Sequence, residues 1–248
     1  MAPSENKMTQ PKAPARTEKG EVAAKRSSGV EVDAFLKQVH ALKSSSGGGR
    51  LIFAMDATMS RQPTWDLALE LQSDMFEAVK QVGGLDVQLV YFRGFRECQA
   101  SKWISDPAAL AKLMRKVHCE GGLTQMSKAL AHARRESERR KVNALIYVGD
   151  AMEENVDELS QLAGELGLIG VPVFLFQEGH DAKAERAFKE IARLSRGAHC
   201  RFDAGSARQL RELLKAVAIY AAGGRKALAD FREATQSGAA LRLLEQLG

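Results

Sequence analysis

The chain has 248 residues, 45% of them hydrophobic and 27% charged, which suits one sizeable globular domain with extensions. No apolar run approaches the roughly 20 residues that cross a bilayer, and the polar N-terminus lacks the apolar core of a secretory signal, so the expected location is the cytoplasm, away from membranes. Three cysteines (Cys98, Cys119 and Cys200) without a CxxC spacing argue against a disulfide framework, and the net charge of +5 is mild, with much of the excess in the N-terminal tail.

Residues 1–29 are rich in Pro, Ser, Lys, Glu and Ala and read as a disordered basic tail. Over 30–49 the sequence predicts a short amphipathic helix, with Val32, Phe35, Leu36, Val39 and Leu42 at helical spacing, and then a Ser/Gly linker. From Arg50 onward short apolar runs alternate with longer amphipathic segments. Strands are expected over 51–55, 87–92, 98–104, 143–148, 171–176 and 198–202. Helices are expected over 67–82, 107–117, 125–139, 156–166, 183–195 and from a Ser206 cap to Ala222. The tight Arg93-Gly94-Phe95 turn makes the second and third strands an antiparallel hairpin. The fold class that follows is α/β: a doubly wound, mostly parallel sheet with one antiparallel edge strand and helices on both faces, over residues 50–222. Residues 223–248 read as one or two accessory helices for docking or oligomerisation.

In an open α/β sheet, ligands bind beyond the carboxyl ends of the strands. The first strand is followed by Asp56-Ala57-Thr58-Met59-Ser60, and in an extended segment residues at i, i+2 and i+4 point to one side. One carboxylate and two hydroxyls are thereby expected to converge. Gly149-Asp150 brings a second carboxylate after the 143–148 strand, and the Gly121-Gly122-Leu123-Thr124 loop brings a third hydroxyl. All five side chains offer oxygen and none is His or Cys, a set that favours a hard divalent ion, Mg²⁺ above all, with Mn²⁺ as a substitute. With only two carboxylates the ion stays electrophilic and keeps an exchangeable position, for which an Asp or Glu of a protein partner is the natural occupant.

The spacing Asp56-x-Thr58-x-Ser60, then Thr124 after a Gly-Gly loop, then Gly149-Asp150, resembles the metal-ion-dependent adhesion site (MIDAS) of von Willebrand factor A-type domains. The resemblance extends from Arg50 to Ala222 in its order of elements. It implies direct metal contact by the hydroxyls of Thr58, Ser60 and Thr124, with Asp56 and Asp150 acting directly or through water. It further implies an intracellular adaptor, commonly in assemblies containing an ATPase, and not an enzyme. Arg61, Gln62, Trp65 and Gln125 are expected on the partner-binding rim. Two residues depart from the family pattern: Thr58 replaces the usual serine, and Arg61 follows Ser60, where an inward-pointing cation would weaken metal binding. A degenerate scaffold that binds its partner without metal is the alternative.

Other chemistries have less support. His118-Cys119 before a glycine loop resembles the phosphate loop of cysteine-dependent phosphatases, but Gln125 stands where the phosphate-clasping arginine is required. A two-carboxylate phosphotransferase needs an aspartate at position 58. Neither GxxxxGK nor GxGxxG occurs. Zinc binding by His118-Cys119 and His199-Cys200 is disfavoured because adjacent strand residues face opposite ways. Arg134, Arg135, Arg139, Arg140 and Lys141 form a basic cluster, yet Glu136 and Glu138 interrupt it and no aromatic side chains are interleaved, so nucleic-acid binding has little support.

Overall fold

The computed structural model of the chain describes residues 48–247, apart from 81 and 204. The basic tail expected over 1–29, and all but the last two residues of the segment expected over 30–49, lie outside the described residues. The first half runs β1 (Gly49–Asp56), a 3₁₀ turn (Met59–Arg61), α1 (Gln62–Val79), β2 (Leu85–Arg93), β3 (Glu97–Ala100), α2 (Pro107–Met114) and α3 (Met126–Arg139). It continues through β4 (Ala144–Gly149), α4 (Val156–Leu168), β5 (Val173–Glu178), α5 (Ala182–Ser195), β6 (Ala198–Phe202), α6 (Ala207–Thr235) and α7 (Gly238–Gln246). The strands form one sheet in the order β3-β2-β1-β4-β5-β6, parallel throughout except for the β2–β3 hairpin at one edge.

Every residue of β1, β4 and β5 is buried, as the apolar runs require of strands covered on both faces. Side-chain alternation divides the core in two. Leu51, Phe53 and Met55 face α1, α2, α6 and α7, while Ile52 and Ala54 face α3, α4 and α5. Helix starts are secured where the sequence offers caps: Asp106 accepts from Ala108 and Ala109 N–H, Asn155 from Asp157, Asp181 from Ala184, and Ser237 from Ala240. Ser206, expected as a cap, makes no such bond.

Three boundaries differ most from the sequence expectation. Helix α1 begins at Gln62, ahead of the expected 67, because Pro63 in its first turn tolerates a helix start that apolar periodicity does not register. Strand β3 stops at Ala100; Ser101 Oγ then accepts from Leu89 N–H, and pairing resumes only as a single bridge between Val87 and Ile104. Helix α6 runs through the Gly223-Gly224 break with a kink at Gly224 (φ 71°) and ends at Thr235.

The C-terminal helices are part of this fold. Leu228, Ala239, Ala240, Leu243 and Leu247 are buried in the same cluster as α1 and α6. At the open edge of β6, the Gln246 carboxamide accepts from His199 N–H at 2.8 Å and donates to His199 O at 3.0 Å. One side chain thus occupies the hydrogen-bonding groups that a further strand would use, which blunts the edge.

Helix α6 approaches the start of β1 closely. A Cβ on Gly49 would lie 2.2 Å from the carbonyl oxygen of Ala221. Gly49→Ala is expected to cost about 2–3 kcal/mol of stability, as overpacking against backbone does. Gly164→Ala, mid-helix in α4 with nothing within 4 Å of the added carbon, is expected to add about 0.5–1 kcal/mol. Urea denaturation of both variants checks the pair, and equal shifts of one sign would contradict this packing.

Candidate metal centre

The sheet order places β1 beside β4, and the chain winds away from that pair in opposite directions, leaving a crevice beyond their carboxyl ends. Asp56 closes β1 and is 2% exposed. Its Oδ1 accepts from Thr58 N–H at 2.8 Å. Thr58 is extended, but Met59–Arg61 then turns as a 3₁₀ helix, closed by Arg61 N–H donating to Thr58 O at 2.9 Å. The run to Ser60 is therefore not the extended segment that the sequence predicts. The turn itself sets Thr58 Oγ1 and Ser60 Oγ 3.4 Å apart.

The glycine loop reaches the same crevice because it is pinned on two sides. Glu120 N–H donates to Ala57 O, and Leu123 N–H donates to Gly94 O. Gly122 is required here, since a Cβ would come within 2.1 Å of Gly94 O. Thr124 Oγ1 donates to Glu153 Oε2 at 2.7 Å, and its N–H reaches the same oxygen at 3.1 Å. Glu154 accepts from Ser127 N–H and Oγ, so neighbouring carboxylates of the β4–α4 loop do the capping at α3 that Gln125 does not. Asn155 caps α4, leaving Asp150 free of that duty.

Asp56, Thr58, Ser60, Thr124 and Asp150 all line one cavity of about 200 Å³, together with Met59, Gly121, Gly122, Ala151 and Glu153. Glu153 was not legible in the sequence as a site residue; only its place three residues after Asp150 hints at it. Burial raises the Asp56 carboxyl from its ordinary 3.8 to about 6, with Asp150 adding to the rise while the Thr58 hydrogen bonds and Arg61 oppose it.

Three of the four rim residues expected from sequence turn inward. Arg61 is buried and pairs with Glu178, which also accepts from Thr64. Its Nη1 lies 3.6 Å from Asp150 Oδ2. Trp65 belongs to the core and donates from Nε1 to Met114 O at 3.2 Å. Gln125 is buried and ties down the hairpin by donating to Arg93 O and Glu97 O. Each long side chain found buried partners within reach, which residue type alone does not reveal. Gln62 is half-buried and donates to Asp66 along α1. Exposed apolar side chains instead include Met59 (63%), which lines the cavity, and Leu123 (50%), which lies in the chain between the lining residues Gly122 and Thr124. Phe95 (78%) follows Gly94, whose carbonyl accepts from Leu123 N–H.

Among the described residues no three His, Cys, Asp or Glu side chains converge to hold a metal. A cation at this site would depend on hydroxyl oxygens joined to Asp56, and the donor set fits that demand. Thr124 gives its proton to Glu153 and accepts only a long 3.4 Å bond from Glu153 N–H, which leaves a lone pair for a cation. The oxygen-only composition suits a hard ion. Cys119 is buried on the same loop, and burial pushes its thiol up to about 11, far from the thiolate that a phosphatase nucleophile requires. Cys200 lies in one core layer, while His199 hydrogen-bonds Gln177 and stacks edge-on to Phe188 of the other.

No protein-family profile and no curated protein matches the sequence. Solved structures do match the fold. The VWA domain of SpRpn10 is 11% identical, with a TM-score of 0.54 over 68% of this chain and 95% of that one. An aerotolerance-related membrane protein from Bacteroides fragilis, in a form with serine mutations, is 16% identical, with a TM-score of 0.53 over 67% of this chain and 96% of that one. Proximal thread matrix protein 1 from the mussel byssus, with zinc in its MIDAS motif, is 19% identical, with a TM-score of 0.55 over 69% of this chain and 45% of that one. At these identities the likeness is one of fold, and the fold of this chain is that of von Willebrand factor A-type domains.

Proposed function

We propose that this chain is a non-enzymatic protein-binding module, an adaptor whose cavity at the sheet's carboxyl edge holds a divalent ion for a partner's acidic side chain. The observation that carries the reading is the gathering of two carboxylates and three hydroxyls around one cavity at the switch point of the sheet. Asp56, Thr58, Ser60, Thr124 and Asp150 would hold the ion, with Mg²⁺ the expected occupant from ligand hardness. When bound, such an ion supplies an electrophilic position that a partner's Asp or Glu can fill. Zinc in the MIDAS motif of the mussel protein supports a divalent ion in this kind of fold.

The chain's own residues account for the rest. The α3 N-terminus and the Gly122–Gly94 contact fix Thr124, and the 3₁₀ turn fixes Thr58 and Ser60. Met59, Leu123 and Phe95 offer apolar contacts around the charged centre, so the partner segment that fits best is an acidic residue flanked by apolar ones. A cytoplasmic assembly containing an ATPase remains the expectation from family resemblance. Among the described residues no helix is long and apolar enough to cross a membrane. The buried position of Arg61 favours one alternative, a scaffold in which an internal cation serves in place of the metal. The basic cluster on α3 gains no such support, since Arg134 pairs with Glu165 and Arg139 with Glu136.

Two predictions follow from the chemistry of Asp56. Isothermal titration with Mg²⁺ is expected to show saturable binding that a folded Asp56→Ala/Ser60→Ala variant loses; heat identical in both proteins would remove the metal from the function. The second concerns protein freed of divalent ions. A carboxyl raised from 3.8 to about 6 on folding gives its full contribution to stability below about pH 4 and loses it as the pH rises to about 6, a difference near 3 kcal/mol. Asp56→Asn is therefore expected to stabilise the metal-free protein at pH 7.5 and to have little effect at pH 4. Urea midpoints of the two proteins at both pH values check this, and a destabilising Asn at pH 7.5 would contradict it.

A further inference from the structure

Arg61 follows Ser60 directly, yet its side chain runs inward, almost fully buried, to an ion pair with Glu178 at the end of β5. The same Nη1 stands 3.6 Å from Asp150 Oδ2. Thr64 donates to the Glu178 oxygen that Arg61 contacts, holding that carboxylate from a second direction. Arg61 Nε and Nη2 have no hydrogen-bond partner among the described residues. Arginine does not release its proton in a protein. A permanent positive charge therefore stands against one of the two carboxylates assigned to the metal.

We propose that Arg61 is an internal counter-charge for Asp150 that lowers the affinity of the site for divalent cations, while Glu178 holds the guanidinium back from full engagement of Asp150. The inference rests on the metal-binding reading above. Two cations that share one carboxylate repel each other, and a pocket with little water screens that repulsion weakly. Asp150 is thus partly compensated whether or not an ion is bound. Among the described residues Asp56 has no ion pair of its own, and it feels Arg61 only at longer range. The division gives each carboxylate a different task. Asp150 keeps the crevice stable between binding events, and Asp56 supplies the drive for metal. Occupancy then follows the free ion concentration, and partner binding follows occupancy.

The test is titration calorimetry with Mg²⁺ and Mn²⁺ on wild type, on the neutralised pair Arg61→Met/Glu178→Gln and on Glu178→Gln alone, each checked for folding by circular dichroism and thermal melting. The double variant removes both charges, so no buried ion is left unpaired. It is expected to bind Mg²⁺ about tenfold more tightly or better, and Glu178→Gln, which frees Arg61 to close on Asp150, about tenfold more weakly. Equal affinity in wild type and double variant would overturn the inference and leave the metal site standing. Binding by the double variant alone would uphold Arg61 as the opposing charge and overturn the proposed function of the wild type. Absence of binding in all three would overturn both. If the double variant does not fold, the Glu178→Gln comparison decides by itself, and unchanged affinity there overturns the inference.

Discussion

Asp56 is the constraint on which the rest of the site depends. It ends a strand whose eight residues are all buried, at the point where the sheet winds away in two directions. Bulk water scarcely reaches its carboxylate, and the adjoining backbone supplies one N–H, from Thr58. A charge so placed is costly unless something is brought to meet it. The surrounding loops bring oxygen and not nitrogen or sulfur: two hydroxyls on the 3₁₀ turn, a third on the glycine loop and a second carboxylate after β4. That chemistry suits a hard divalent cation such as Mg²⁺ or Mn²⁺.

Packing far from the crevice makes the arrangement rigid. The glycine loop can approach the β2–β3 hairpin only because Gly122 lacks a side chain, and that approach carries Thr124 to the cavity. Glu153 and Glu154 grip the loop and the first turn of α3, which joins the end of β4 to the position of Thr124. At the opposite edge Gln246 covers the β6 backbone, and the C-terminal helices complete the core layer behind α1 and α6. A domain held together in this way presents a preformed site, and preorganised ligands lose little entropy on binding.

Much of this was legible from residue order. Fully apolar runs such as LIFAM and ALIYV mark strands covered on both faces, and the alternation of strands with helices determines the parallel sheet. The Arg93-Gly94-Phe95 turn marks the antiparallel edge. The five oxygen donors were visible because strand ends in such sheets are where ligands gather. What sequence could not give was the direction of long polar side chains. Arg61, Trp65 and Gln125 look like surface residues of a binding loop, but each reaches a buried partner supplied by a distant element: Glu178, Met114 and the hairpin carbonyls. Glu153 was missed for the same reason, since its role exists only through Thr124, 29 residues away. The exposed Leu123 and Phe95 are likewise related by a backbone contact between two loops, Leu123 N–H to Gly94 O. Helix ends failed where a proline or a glycine kink disguised the period, at Pro63 and Gly224.

The most direct measurement is a crystal structure of the protein grown with Mn²⁺, read by anomalous scattering. The account predicts a single strong peak in the cavity between Asp56, Thr58, Ser60, Thr124 and Asp150, with near-octahedral oxygen coordination. A cavity without a peak, with Asp56 paired instead to a rearranged Arg61, would contradict it.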